Sequence, residues 1–410
     1  MLLSVTETLR ELVAIPSVNP MGKAVTGDIY FESRVTDYLQ DLFARLELPC
    51  VRQTVEPQRE NILARLDATG GTDAPTMLWE VHQDTVPVDG MTIDPFRPQS
   101  SDDRICGRGS CDVKGGMSAM LAALSRLRHE PQRPINIVLA CTINEEHGFS
   151  GAKELVKAWD SNSSANAGIR KIIPHRPQAA IIAEPTEMNV VVAHKGAIRW
   201  RLRTTGKACH SSNPEKGLNA IYLVAPVLKA IETHHNALTT AGLDHTLCGR
   251  PTVSVGVISG GVSVNTVPDE CVIEIDRRLT PGEEPEQARQ ELIDSIANSV
   301  RSSDSQVDLQ RHIQHDEPHL CGLPLDSGQN QELAAFVAER AAAVRGESQQ
   351  VGVAYGTDAS VIAASGVPSV VFGPGSIAQA HTCDEWISVD QLNDAVEALV
   401  RIGTSELPRV

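Results

Sequence analysis

The chain has 410 residues, 41% of them hydrophobic and 21% charged, with a net charge of −16. This length carries two domains with cores of their own, and the composition is that of a globular protein rather than a disordered one. The negative charge and the absence of a Lys/Arg-rich run exclude a general nucleic-acid surface, which needs cations to displace counterions from phosphate.

The nine cysteines are scattered without a CxxC pair, which fits reduced thiols in a cytoplasm rather than a disulfide framework. Glu7, Arg10 and Glu11 interrupt the apolar start where a signal peptide needs a continuous apolar stretch, and no other run is long enough to span a bilayer. A cytoplasmic protein without a membrane partner is expected.

Val5, Leu9, Leu12 and Val13 recur at helical spacing behind Ser4 or Thr6 as N-cap, and Ile15-Pro16 closes that helix. The pattern repeats from Phe31 to Leu48. Asn61 to Leu66 and Met77 to Val81 read as strands, so the first third alternates as an α/β domain does. The second strand delivers His82 and Asp84 to its end before Pro87. Asp84, two residues on and facing the same side of the strand, is placed to hold one imidazole N–H while the other nitrogen meets a cation.

Residues 105–116, ICGRGSCDVKGG, form a glycine-rich turn before an apolar helix from Met117 to Leu127. The turn lacks the third glycine of a dinucleotide loop and does not match a Walker sequence. Asp112 in it is either the cap of the next helix or an acid held on tight backbone at a sheet edge. Ile135 to Thr142 is a continuous apolar run, a strand covered on both faces, and it leads to Asn144-Glu145-Glu146-His147-Gly148. Two adjacent carboxylates at the end of a buried strand repel unless a cation or proton separates them. One of them either faces water near the helix that begins at Ser150, or serves as a base beside a metal ligand. Residues 160–166 read as a polar loop, and Ala179 to Ala183 is a further short strand ending in Glu184. Acids and a histidine thus gather where ligands bind in an open α/β sheet, at the carboxyl ends of strands.

From Val190 the pattern changes to strand 197–206, helix 218–234, strands 252–259 and 271–279, helix 284–300 and strand 306–313. This βαββαβ order predicts an inserted α+β domain over residues 190–315, set into an α/β domain made of 1–189 and 316–410 around a mostly parallel sheet. The α/β pattern resumes with a helix over 331–344, a turn at Tyr355 to Asp358 opening another helix, a strand over 367–372 leading to Gly373-Pro374-Gly375, and a last helix over 389–402. His381 follows that strand as a second histidine beyond a strand end.

These residues carry a resemblance over nearly the whole chain. HQDTVP at His82, GRGSCDVKGG around Asp112, NEEHG at Glu145-Glu146, AEPT at Glu184, GKACHSS at His210 and AHTCDE at His381 resemble the zinc-dependent amidohydrolases that include acetylornithine deacetylase, succinyl-diaminopimelate desuccinylase, aminoacylase and carboxypeptidase G. The resemblance implies a dinuclear site holding two Zn²⁺, with Co²⁺ or Mn²⁺ also suited to its nitrogen and oxygen ligands. His82 and Glu184 would bind one metal, Glu146 and His381 the other, and Asp112 would bridge them. Asp84 would orient His82, and Glu145 would be general base and later acid to a metal-bridging hydroxide attacking an amide carbonyl.

The resemblance further implies that the inserted domain is a lid that forms a homodimer, and that His210 on it stabilises the oxyanion in the partner subunit's site. Asn265, Arg278, Gly373 and Gly375 resemble positions that hold a substrate α-carboxylate, and a structural role for Arg278 stays open. The wording lies closest to acetylornithine deacetylase, so the expected substrate is a small N-acyl amino acid such as N-acetylornithine, which would place the enzyme in arginine biosynthesis. Hydrolysis of dipeptides or N-succinyl amino acids at the same site is the alternative. The neighbours Cys209-His210 and Cys111-Asp112 make poor nucleophile pairs, since adjacent strand residues face opposite ways.

Overall fold

Ser4 accepts a hydrogen bond from the Glu7 N–H and starts the helix Val5–Val13, whose Val5, Leu9, Leu12 and Val13 are buried. It is the first element of a computed structural model that describes residues 1–101, 103–160, 167–242, 244–301 and 308–408. The polar loop expected over 160–166 lies, beyond Asp160, outside these residues. The chain divides into two compact units, one of residues 1–192, 326–352 and 357–410, the other of 193–325 and 353–356.

The first unit is α/β, built on an eight-stranded sheet. At its centre Asn136–Thr142, Thr76–His82, Ala179–Ile182 and Ser369–Val371 lie side by side and parallel, as their apolar runs predict. Antiparallel neighbours flank this core: Arg59–Leu66 and the unanticipated strand Cys50–Glu56 on one side, Val190–His194 on the other. The central strands alternate at the atomic level. Met77, Trp79 and Val81 join the core beneath the helices Val5–Val13, Lys114–Leu127, Gln331–Arg345 and Val389–Gly403, while Leu78, Glu80 and His82 are buried on the opposite face. Thr142 is the register partner of His82, and Ile182 that of Glu80, so three parallel strands end within two residues of one another.

One expected strand end proves different. The segment before Asp112 contributes only Arg104–Cys106, and this strand pairs with Trp386–Ser388 and Gln99–Ser100 in a separate small sheet. Asp112 itself sits on the loop before the helix Lys114–Leu127, and it is not that helix's cap, which is Val113 without a side-chain hydrogen bond.

The second unit is an antiparallel sheet ordered Thr252–Gly260, Glu270–Leu279, Gly196–Thr205, with Ile313–His315 and Leu320–Gly322 both pairing along the last. Ile198, Trp200, Leu202, Ile273 and Ile275 form one face, packed with residues of the helices Ala220–Thr240 and Pro285–Arg301. The other face alternates charge across the strands, with Arg199 on Asp276 at 3.0 Å and Arg201 on Glu274 at 2.9 Å. Of the strand expected over 306–313, residues 306 and 307 lie outside the described residues, and 309–312 form a turn of 3₁₀ helix, Leu309–His312, before the short strand Ile313–His315. No helix among the described residues is long and apolar enough to cross a membrane.

Candidate metal centre

His82 closes its strand with its ring buried at 2% exposure. Because the strand stops there, the alternation does not reach Asp84, and the expected carboxylate–imidazole hydrogen bond is not made. His82 Nδ1–H donates instead to the main-chain oxygen of Asp84 at 2.9 Å, with the Asp84 carboxylate 3.7 Å away. This puts a hydrogen on Nδ1 and turns Nε2 toward the acids of the cluster. That nitrogen faces Asp112 Oδ1 at 3.2 Å and Glu184 Oε1 at 3.8 Å. On the other side of Asp112, His381 Nε2 lies 3.3 Å from Oδ2 and 3.2 Å from Glu146 Oε2. One carboxylate thus presents an oxygen to each histidine.

The Asp84 carboxylate does something else. Its Oδ1 accepts from the Glu145 N–H and its Oδ2 from the Glu146 N–H, both at 3.2 Å, so a single buried side chain fixes the main chain of the acid pair. The preceding residue, Asn144, takes a left-handed φ of 61°, a conformation asparagine tolerates better than most residues.

The electrostatics of the cluster follow from burial and crowding. Burial pushes the Glu145 and Glu184 carboxyls well above the usual range, with added repulsion between Glu145 and Glu184 and between Glu184 and Asp112. Glu146 is raised by burial and by Asp112 to about 7, against the pull of His381. Burial also acts upward on Asp112, yet its contacts to His381 and His82 hold it well below the usual carboxylate range. Burial pulls His82 down, but Asp112 and the surrounding carboxylates raise it well above an ordinary histidine, and Asp112 and Glu146 push His381 up to about 10. Behind His82, the buried acids Glu80 and Asp358 share Thr142 Oγ1, at 2.5 and 3.2 Å.

The donor set fits divalent cations. Ligand atoms of His82, Asp112 and Glu146 lie within 4.8 Å of one another, as do those of His82, Glu145 and Glu184. Glu146 Oε1 is buried without a hydrogen-bond partner, an acceptor that a cation would satisfy. All the atoms are imidazole nitrogen or carboxylate oxygen, which suits Zn²⁺, Mn²⁺ or Co²⁺.

Gly373 and Gly375 have a different local task from the expected one. The Gly373 N–H donates to Thr186 Oγ1 at 3.1 Å and the Gly375 N–H to Gln391 Oε1 at 2.7 Å, which leaves neither donor for a carboxylate ligand. A Cβ at 373 would come 2.6 Å from the Glu184 main-chain oxygen, so glycine lets the two strand ends pack.

In the second unit, His210 and Asn265 come together: His210 pairs with Thr266, and the Ser211 N–H donates to the Asn265 oxygen at 3.0 Å. The Ser212 N–H donates to His210 Nδ1 at 3.2 Å, so the ring keeps its proton on Nε2 and can donate from there. Arg278 turns Nε and Nη2 toward Asp276, at 2.9 and 3.2 Å, and Arg199 holds the same carboxylate.

Three contributors escape the motif reading. Asn19 is a loop asparagine with no sequence signal beyond its polarity, and Asn144 stood in the NEEHG motif without a role of its own. Glu385 had a signal, four residues after His381 in the same motif. Its carboxylate accepts from Arg108 Nη1 (2.8 Å) and from the N–H groups of Gly109 (2.9 Å), Cys111 (2.8 Å) and Asp112 (3.0 Å).

Residues 78–404 match the model of peptidase family M20/M25/M40. Acetylornithine deacetylase of Myxococcus xanthus is 32% identical over 324 residues, which cover 78% of this chain and 77% of that protein. A probable carboxypeptidase of Emericella nidulans is 28% identical over 417 residues, 98% of this chain and 89% of its own. The crystal structure of an M20 family metallo-carboxypeptidase from Sulfolobus solfataricus shares the fold, with a TM-score of 0.72 at 18% identity over 98% of this chain and 99% of that one.

Proposed function

The chain belongs to peptidase family M20/M25/M40, and from that premise we propose that this hydrolase deacylates a small N-acyl amino acid, with N-acetylornithine as first substrate. The observation that carries the reading is Asp112, with one oxygen toward His82 and the other toward His381. In this reading His82 and Glu184 hold one divalent cation, Glu146 and His381 a second, and Asp112 both. When bound, such a pair polarises the scissile carbonyl and lowers the pKa of water toward ~7.

The chain's own residues do the rest. Glu145 accepts the proton of the attacking water and returns it to the departing amine. Asp84 holds Glu145 in place through the main chain. His210 donates from Nε2 to the developing oxyanion in the partner subunit's site. Asn265 and Arg278 receive the substrate carboxylate, Arg278 with its fork oriented by Asp276. Dimerisation through the second unit is supported by its edge strand Thr252–Gly260, where Val257 and Ile258 are 50% and 54% exposed, and by Val264 on the following loop, which is fully exposed. A cytoplasmic location is part of the same reading.

A second assignment has its own support, since Glu145 lies within ligand distance of His82 and Glu184. Glu145→Gln separates the two. As a base, its loss abolishes turnover and leaves the metal content unchanged; as a ligand, its loss removes metal as well. Turnover of dipeptides or N-succinyl amino acids but not N-acetylornithine by the metal-loaded protein would move the substrate to the alternative class.

A further inference from the structure

We infer that Asn19 is a positioning residue for the Glu145 base, acting through Asp84 and Asn144; the inference rests on the reading of Glu145 given above. Asn19 is 1% exposed, and each of its amide hydrogens has a distinct acceptor. Nδ2 donates to Asp84 Oδ2 at 2.7 Å and to Asn144 Oδ1 at 2.8 Å, while Oδ1 accepts from the Met21 N–H at 2.8 Å. The orientation of the amide is therefore set, because the flipped form would aim its oxygen at a carboxylate.

Asn19 thus touches both groups that shape the acid pair from behind. Asp84 receives the N–H groups of Glu145 and Glu146, and Asn144 is the left-handed residue immediately before them. Asn144 is held from its other end by Ser150 Oγ, which its Nδ2 meets at 2.9 Å. The main chain keeps Asn19 in register with the metal-bearing strand end. Ser17 Oγ donates to the Gln83 oxygen at 2.7 Å, the Thr85 N–H to the Ser17 oxygen at 3.0 Å, and the Asn19 N–H to the Thr85 oxygen at 2.8 Å. Pro20 keeps residue 19 extended. The segment is a short clasp laid along residues 83–85, and its one inward amide joins the His82 side of the site to the Glu145 side.

Asn19→Asp tests this at constant side-chain volume. It sets a carboxylate against Asp84 and the Asn144 carbonyl with no hydrogen to share, so the support of the Glu145 main chain is lost while packing is kept. Asn19→Ala serves as the second variant should the first not fold, with thermal melting as the check. Both are loaded with Co²⁺, titrated by visible absorption, and assayed on whichever substrate the parent turns over.

The expected result is a fall in kcat of about 10- to 100-fold with KM within about twofold, at the same number of bound Co²⁺ equivalents as the parent. A folded variant of either kind with kcat within about twofold of the parent overturns the inference, and so does a loss of Co²⁺ in proportion to the loss of activity. Glu145→Gln run alongside separates the two readings. If it keeps parental turnover, the base assignment itself fails. If it is inactive while both Asn19 variants are fully active, only the role of Asn19 fails.

Discussion

Glu385→Gln should be the most damaging conservative change near the site. The carboxylate is fully buried and accepts four hydrogen bonds, two at each oxygen, from Arg108, Gly109, Cys111 and Asp112. Burial pushes its pKa up and the N–H donors and Arg108 pull it back. A neutral acid would have to point its O–H at one of those donors, so the ionised form is the one the geometry fits. Glutamine replaces one oxygen by an amide that faces two donors and strands them. It also leaves Arg108, 3% exposed, in ion-pair contact with nothing charged. Removing one partner of a buried ion pair costs about 3–5 kcal/mol. Urea unfolding of the metal-free protein measures this. Because the lost bonds anchor the loop carrying Asp112, Co²⁺ affinity should fall about 10- to 100-fold as well. A stability loss below about 1 kcal/mol together with parental Co²⁺ binding would refute the idea that this carboxylate templates the Asp112 loop.

Three further outcomes are expected. Chelation should abolish turnover and lower the melting temperature, since metal present at 100 times its dissociation constant stabilises the folded state by about 2.7 kcal/mol; a melting curve indifferent to the chelator would count against the site. Gly373→Ala should weaken metal binding about tenfold, read by equilibrium titration, because its Cβ forces the Glu184 strand end to move. His315 accepts the Trp200 indole N–H on Nδ1 at 3.1 Å, and its pKa is lowered to about 4 by burial and then by Arg289. The folded state therefore favours neutral His315, whose contribution is whole above pH 6.5 and declines as the pH falls toward about 4, by at most roughly 3 kcal/mol. His315→Asn, which can still offer an acceptor, should flatten that decline in urea midpoints measured across the window; an unchanged slope would show that other groups cause it.

The sequence by itself determined the central elements and the family motifs. Apolar runs such as 135–142 read as strands covered on both faces, the pattern of a parallel centre. The residues that meet in the cluster, His82, Asp112, Glu145, Glu146, Glu184 and His381, were legible because each lies in a recognisable motif, and His82, Glu145, Glu146 and Glu184 also close an apolar run. Tertiary structure decided how they are held. The strand ends at His82, so Asp84 turns from its imidazole to the main chain of Glu145, a change that two-residue alternation cannot anticipate. Glu385 and Asn19 act on residues 273 and 65 positions away in the chain, and hydrogen bonds of that span leave no periodicity to read. Only folding brings those donors and acceptors within 3 Å, and burial then makes each of them expensive to lose.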